Sequence, residues 1–311
     1  MKKFLAIPFV AVALAACGGG GGGGPQLSTS GPTQAEVNSV VSDYHSGYRE
    51  VAQAAGVTGK GVTLTVVDDF VDVYEGTHDV THGGTVSHIA SSIATGSTVH
   101  HVHIDLANSP TDAVLPTASQ MAKEINKLIQ QNSIGTNQVI NMSFTLNGQF
   151  NYANEVGKRL QELTSNQVAV IAAGNDSCTN TSTASCNVFA DAFDVANVNK
   201  VLVVGAIEGE NGVLATYSNK PGKIVDLQEN WVVADGNLTA EHTDIQGTSF
   251  AAPRVAATVA LVTEKFNTTA EKAALIILDT ADNSGIYSDA TKYGKGRLDV
   301  RAALSPVGTI K

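Results

Sequence analysis

The chain has 311 residues, 43% of them apolar, with 19 basic against 29 acidic side chains and a formal net charge of −10. That acidity excludes nucleic acid as a partner, because no basic stripe is present to displace phosphate counterions, while the length and apolar content suffice for one large domain with a substantial core. Aromatic residues make up only 5%, so the core must be built from Val, Ala, Ile and Leu.

Lys2-Lys3 and the apolar stretch 4–16, too short to span a bilayer, read as a targeting segment. Leu14-Ala15-Ala16-Cys17 resembles a bacterial lipoprotein signal, which implies that Cys17 becomes the lipidated first residue of an exported, envelope-anchored chain. The glycine run 18–24 behaves as a loose tether. The expected organisation is a signal peptide over 1–16, a lipidated Cys with a Gly-rich linker over 17–33, and one folded domain over 34–311.

Positions 34–55 carry apolar residues at helical spacing (Val37, Val40, Val41, Tyr44, Tyr48, Val51) and predict a helix packed on the domain. The run 61–68 is continuously apolar and β-branched and ends in Asp68, as suits a parallel strand covered on both faces. A polar loop over 69–81 leads to Thr81-His82-Gly83-Gly84-Thr85, a histidine at a Gly-rich helix start. Further strands are expected over 99–104, 138–144, 168–172 and 201–206, and helices over 119–131, 154–163, 249–266 and 269–280. Strands alternating with helices predict an α/β fold, a doubly wound and mainly parallel sheet with helices on both faces. His100, His101 and His103 lie in a strand and His88 on a helix surface. No metal site or cofactor is expected, and structural calcium is not indicated.

Gln246-Gly247-Thr248-Ser249-Phe250-Ala251-Ala252-Pro253 places a serine at the start of an apolar helix. There it is either a nucleophile, aided by unpaired N–H groups and the positive end of the helix dipole, or an ordinary N-cap. Asp68, His82 and Ser249 occur in the order known for one class of Asp-His-Ser hydrolase.

Four pieces in that order carry a family resemblance: Val66-Val67-Asp68, His82-Gly83-Gly84-Thr85, Ala172-Ala173-Gly174-Asn175, and Gly247-Thr248-Ser249-Phe250-Ala251-Ala252-Pro253. The chain resembles the subtilisin-family serine peptidases (subtilases) from about residue 56 to 303. The resemblance implies a subtilisin-like endopeptidase domain acting on protein or peptide substrates. Ser249 is then the nucleophile, His82 the general base, Asp68 its orienting partner and Asn175 an oxyanion donor. It also implies that Ser143, Phe144 and Thr145, with Ala172, Ala173 and Gly174, bind substrate. Thr145 stands where the family usually has Gly, which predicts a shallow P1 pocket. Asp69-Phe70 replaces the usual small residue and glycine, and the Asp68–His82 loop is short. Two other readings of the same residues are a binding module that has lost catalysis and an acyl transferase that ligates peptides. The remaining cysteines, Cys178 and Cys186, form an even pair in an exported chain and predict a disulfide beside Asn175.

Overall fold

The computed structural model describes residues 32–73, 78–104, 136–144, 158–180, 200–209, 211–238 and 246–306, with 123, 126–128 and 130. Cys17, Thr145 and Cys186 lie outside these residues. The sheet contains β1 (Val62–Asp68), β2 (Thr98–His103), β3 (Asn137–Met142), β4 (Gln167–Ala172), β5 (Val201–Ile207) and β6 (Trp231–Asp235). All pairings are parallel, in the order β2-β1-β3-β4-β5-β6. The chain therefore reverses its direction of travel across the sheet at β1. In such sheets the crevice at the carboxyl ends of the strands flanking the reversal is where sites are built.

Alternation along each strand divides the apolar residues between two cores. Val62, Leu64, Val66, Val139, Val168, Val170, Leu202 and Val204 point to one face, where they meet helices. Those helices are α1 (Gln34–Tyr44), α3 (His82–Ile93), α5 (Thr248–Phe266) and α6 (Ala270–Thr280). Val67, Ile140, Met142, Ala169, Ile171 and Val203 point to the other face, against Leu128, Leu160, Leu163 and Leu227. Leu227 belongs to the short helix α4 (Val225–Glu229). Helix α5 is buried from Thr248 to Thr263 and runs under β1, β3, β4, β5 and β6. Ala251, Ala252, Ala256, Ala257 and Ala260 let it approach the sheet closely.

Five of the six strands match their expected positions to within a residue or two. Strand β6 was not foreseen, since Trp231-Val232-Val233-Ala234-Asp235 is short and follows a polar segment. The helix expected over 34–55 is two helices, α1 and α2 (Ser46–Ala54), broken at His45. The His45 ring is buried, with Nδ1 donating to Val41 O at 2.6 Å. Burial holds its pKa well below that of a free imidazole, so the ring is neutral. Edge strand β2 exposes His100, His101 and His103, and the His101 ring also stacks on Phe70 at 4.4 Å and meets Ser87 Oγ at 2.7 Å. His88 is half-buried rather than on a free surface, because its Nε2 meets Ser42 Oγ of α1 at 2.7 Å.

Candidate active site

Parity along β1 decides which carboxylate faces the helices. Val62, Leu64 and Val66 point toward α3 and α5, so the next residue on that face is Asp68. Asp69 points away and forms the following turn, its Oδ1 accepting Val71 N at 2.9 Å and Asp72 N at 3.0 Å. The Asp69 carbonyl accepts Gly83 N at 2.7 Å, and a Cβ on residue 83 would lie 2.6 Å from that oxygen. Glycine is therefore required there for the first turn of α3 to close on the end of β1. Thr81 caps α3 by accepting Gly84 N at 3.0 Å, which makes His82 the first helical residue.

The result is a His82 Nδ1–Asp68 Oδ1 contact of 2.6 Å, with the Asp68 side chain 0% and the His82 side chain 21% exposed. Asp68 Oδ1 also accepts Asp69 N at 2.7 Å. A carboxylate oxygen only accepts, so Nδ1 carries the proton and Nε2 presents its lone pair. Burial lowers the His82 pKa, but the charge and hydrogen bond of Asp68, with Asp69 behind it, outweigh burial and leave the pKa above the free value.

Helix α5 brings the serine to the same place. Phe250, one residue after Ser249, lies with its ring centroid 5.9 Å from that of His82. Ser249 is 7% exposed, so it is not the surface residue that a helix-start position suggests. Its carbonyl accepts Ser143 Oγ at 2.8 Å. Thr248 donates N and Oγ1 to Asn175 Oδ1, each at 2.9 Å. Gly174 (φ +99°) turns the chain after β4 and donates its N to Thr248 Oγ1 at 3.1 Å. Buried Asn219 holds the far side of that loop. Its Nδ2 donates to Ala173 O at 2.9 Å, and its Oδ1 accepts Asp176 N at 3.1 Å and Cys178 N at 3.0 Å.

Asp68, His82, Asn175, Ser143 and Ser249 thus gather at the carboxyl ends of β1, β3 and β4 and the amino ends of α3 and α5. Phe144, Ala172 and Ala173 are 0–1% exposed, with side chains in the two cores. Cys178 is disulfide-bonded. Thr248, Asn219 and the buried Arg254–Asp235 ion pair behind α5 were not singled out from the sequence. Thr248 lay inside a quoted motif, whereas nothing local marks Asn219. No group of three or more His, Cys, Asp or Glu able to hold a metal occurs among the described residues.

The subtilase family model matches residues 72–296, a span that begins just after Asp68 and contains His82, Asn175 and Ser249. Among solved structures, the chain is similar to the prenylagaramide maturation protease PagA, with a TM-score of 0.61 and 20% identity over 83% of this chain and 97% of that one. It is also similar to MycP1 with its N-terminal propeptide removed, with a TM-score of 0.57 and 19% identity over 86% and 98%. A protease of Pseudoalteromonas arctica gives a TM-score of 0.56 and 20% identity over 84% and 94%. At these identities the likeness is one of fold. No curated protein sequence matches the chain.

Proposed function

The chain belongs to the subtilase family of serine proteases, and on that premise we propose that it is an endopeptidase working through an acyl-enzyme on Ser249. The observation that carries this reading is the 2.6 Å contact between buried Asp68 and His82 Nδ1. It leaves Nε2 as the base that takes the Ser249 proton and returns it to the leaving amine. Asp68 fixes the ring tautomer and stabilises the imidazolium without itself taking the proton. The oxyanion is held by the Ser249 N–H and by Asn175 Nδ2, because Asn175 Oδ1 is already engaged by Thr248.

Substrate lies as an added strand beside 143–145, where main-chain hydrogen bonds hold it, and its P1 side chain enters a pocket walled by that segment and by 172–174. Since Phe144, Ala172 and Ala173 are buried in the cores, these segments contribute mainly backbone. Thr145, a β-branched residue, stiffens the wall and favours small or medium P1 residues over Phe and Tyr. The protein is exported and lipid-anchored through Cys17. Cys178 pairs with Cys186, closing a loop next to Asn175 that contributes about 2–3 kcal/mol on a chain-entropy model.

A fluorophosphonate probe, which requires an activated serine, tests the central reading. Wild type should be labelled and should hydrolyse peptide substrates, and Ser249→Ala should do neither while remaining folded. Hydrolysis by a clean Ser249→Ala preparation would remove the assignment. Intact mass of the membrane-extracted protein tests the anchor, and an unmodified N-terminus beyond Cys17 would refute it.

A further inference from the structure

Helix α5 carries Pro253 five residues inside its amino end. Proline has no N–H, so the i→i−4 hydrogen bond that would close on the Ser249 carbonyl cannot form, and the ring crowds that same carbonyl. The carbonyl of the nucleophile residue is thereby freed and turned outward in a site from which water is nearly excluded. A buried carbonyl without a donor is destabilising, so a partner from elsewhere is required.

That partner is the Ser143 hydroxyl, which donates to Ser249 O at 2.8 Å. Ser143 is 0% exposed and follows the end of β3, where parity from Val139 through Asn141 turns its side chain toward α5. Asn141 Nδ2 donates to Ser143 Oγ at 2.9 Å. With that lone pair occupied, the hydroxyl proton is directed at Ser249. Asn141 is itself 0% exposed, and its Oδ1 has no hydrogen-bond partner. An otherwise apolar face thus retains a partly satisfied polar chain, Asn141 to Ser143 to Ser249, at some cost in stability.

The geometry points to Ser143 as a positioning residue whose hydroxyl replaces the helix hydrogen bond removed by Pro253 and fixes the nucleophile turn relative to the substrate-binding strand. The inference rests on Ser249 being the nucleophile. Its consequence is that the strand registering the substrate and the turn carrying the attacking oxygen move as one body. Proximity of this kind acts on kcat rather than on ground-state binding.

The test is a double-mutant cycle on the full chain, using a peptide p-nitroanilide, with Ser143→Ala, Pro253→Ala and the pair. Rates are referred to sites titrated with fluorophosphonate, so unfolded protein does not count as lost activity. Ser143→Ala should lower kcat by roughly tenfold or more, keep KM within about twofold, and slow labelling in parallel. Alanine at 253 restores an N–H able to close on Ser249 O, so in that background the same substitution should cost less than about threefold. Equal losses in both backgrounds overturn the proposal, as does a loss that appears in KM with kcat kept. If no folded Ser143→Ala protein is recovered, Asn141→Ala must give the kcat loss with KM kept, because it leaves the hydroxyl but removes the group that aims it. Its failure to do so overturns the proposal. A wild type that takes no label overturns the Ser249 reading and this inference together, whereas a labelled wild type with additive losses overturns this inference alone.

Discussion

Thr248 donates both its N–H and its hydroxyl to Asn175 Oδ1, each at 2.9 Å. An amide whose oxygen is taken twice has its Nδ2 turned the opposite way, so Thr248 sets the direction in which Asn175 donates. Thr248→Val keeps the shape and the N–H bond but loses the hydroxyl, leaving Gly174 N without its acceptor. The expected result is a kcat roughly tenfold lower, short of the roughly 10²–10³ found elsewhere when such a donor is removed outright. Adding Thr248→Val to Asn175→Ala should then cost little more. A valine variant with wild-type kcat would remove Thr248 from the oxyanion machinery.

The two adjacent carboxylates give a sharper comparison. Asp68→Asn removes the charge that stabilises the imidazolium and lets an amide N–H face His82 Nδ1, which selects the wrong ring tautomer, and a drop of several orders of magnitude in kcat is expected, on the order of 10⁴ as in a convergent triad. Asn at 69 keeps an Oδ1 able to accept from Val71 and Asp72, so the turn survives and kcat should fall by less than about threefold, the scale of one weakened neutral bond. Steady-state kinetics of both variants decide the matter. A larger loss at Asp69 would show that the wrong carboxylate has been assigned.

The legible and illegible parts of this chain separate by the range of the interactions involved. Strands β1, β4 and β5 were readable because both faces are buried, which demands an unbroken apolar run such as Val168-Ala169-Val170-Ile171-Ala172. His82 was readable because its helix needs glycine at 83. The break at His45 was not, because the periodicity of 34–55 continues through it and the cause is one side chain turning back onto Val41 O. Strand β6 was missed because its evidence is a neighbour: Val204 pairs with Val232 and Ala206 with Ala234. Asn219 could not be found at all, since its partners are Ala173, Asp176 and Cys178, more than forty positions away.

His82 sets the pH dependence. Its pKa is raised because Asp68 and Asp69 outweigh the opposing effect of burial. The base must be neutral, so kcat/KM should rise through one ionisation with a midpoint above the ordinary imidazole value of about 6.5. Stability runs the other way. A raised folded pKa contributes stability that is complete below the unfolded value and is lost as pH climbs through the folded value. Hence the enzyme should gain activity and lose the His82 contribution to Tm over the same interval. Asp69→Asn, which removes a charge but not the turn, should move the kinetic midpoint down. A midpoint below that of free imidazole, or one that rises in Asp69→Asn, would contradict the electrostatic account.

Behind the nucleophile turn lies a fully buried ion pair, with Arg254 Nη2 3.6 Å from Asp235 Oδ2 and the side chains 0% and 1% exposed. Such a pair is worth little against an apolar replacement, yet losing one member strands the other charge. Here both members are also tied to backbone. Arg254 donates to Phe250 O at 2.8 Å, to Asn237 O at 2.6 Å and to Asp235 O. Asp235 accepts Gly209 N, Asn237 N and, from α1, the Tyr44 hydroxyl at 2.5 Å. Asp235→Ala should therefore cost about 3–5 kcal/mol, which in a domain of this size lowers Tm by roughly 5–9 °C. Tyr44→Phe loses a single hydrogen bond to a charged group, about 1.5–3 kcal/mol, and should lose almost nothing further in the Asp235→Ala background. Because Phe250 O is gripped by the same guanidinium, kcat should fall with Tm in Asp235→Ala, whereas Tyr44→Phe, which leaves Arg254 paired, should reduce Tm alone. Thermal melts and kcat on the four proteins separate these outcomes. Additive losses for the two substitutions would mean that Tyr44 stabilises the fold by packing α1 rather than through Asp235.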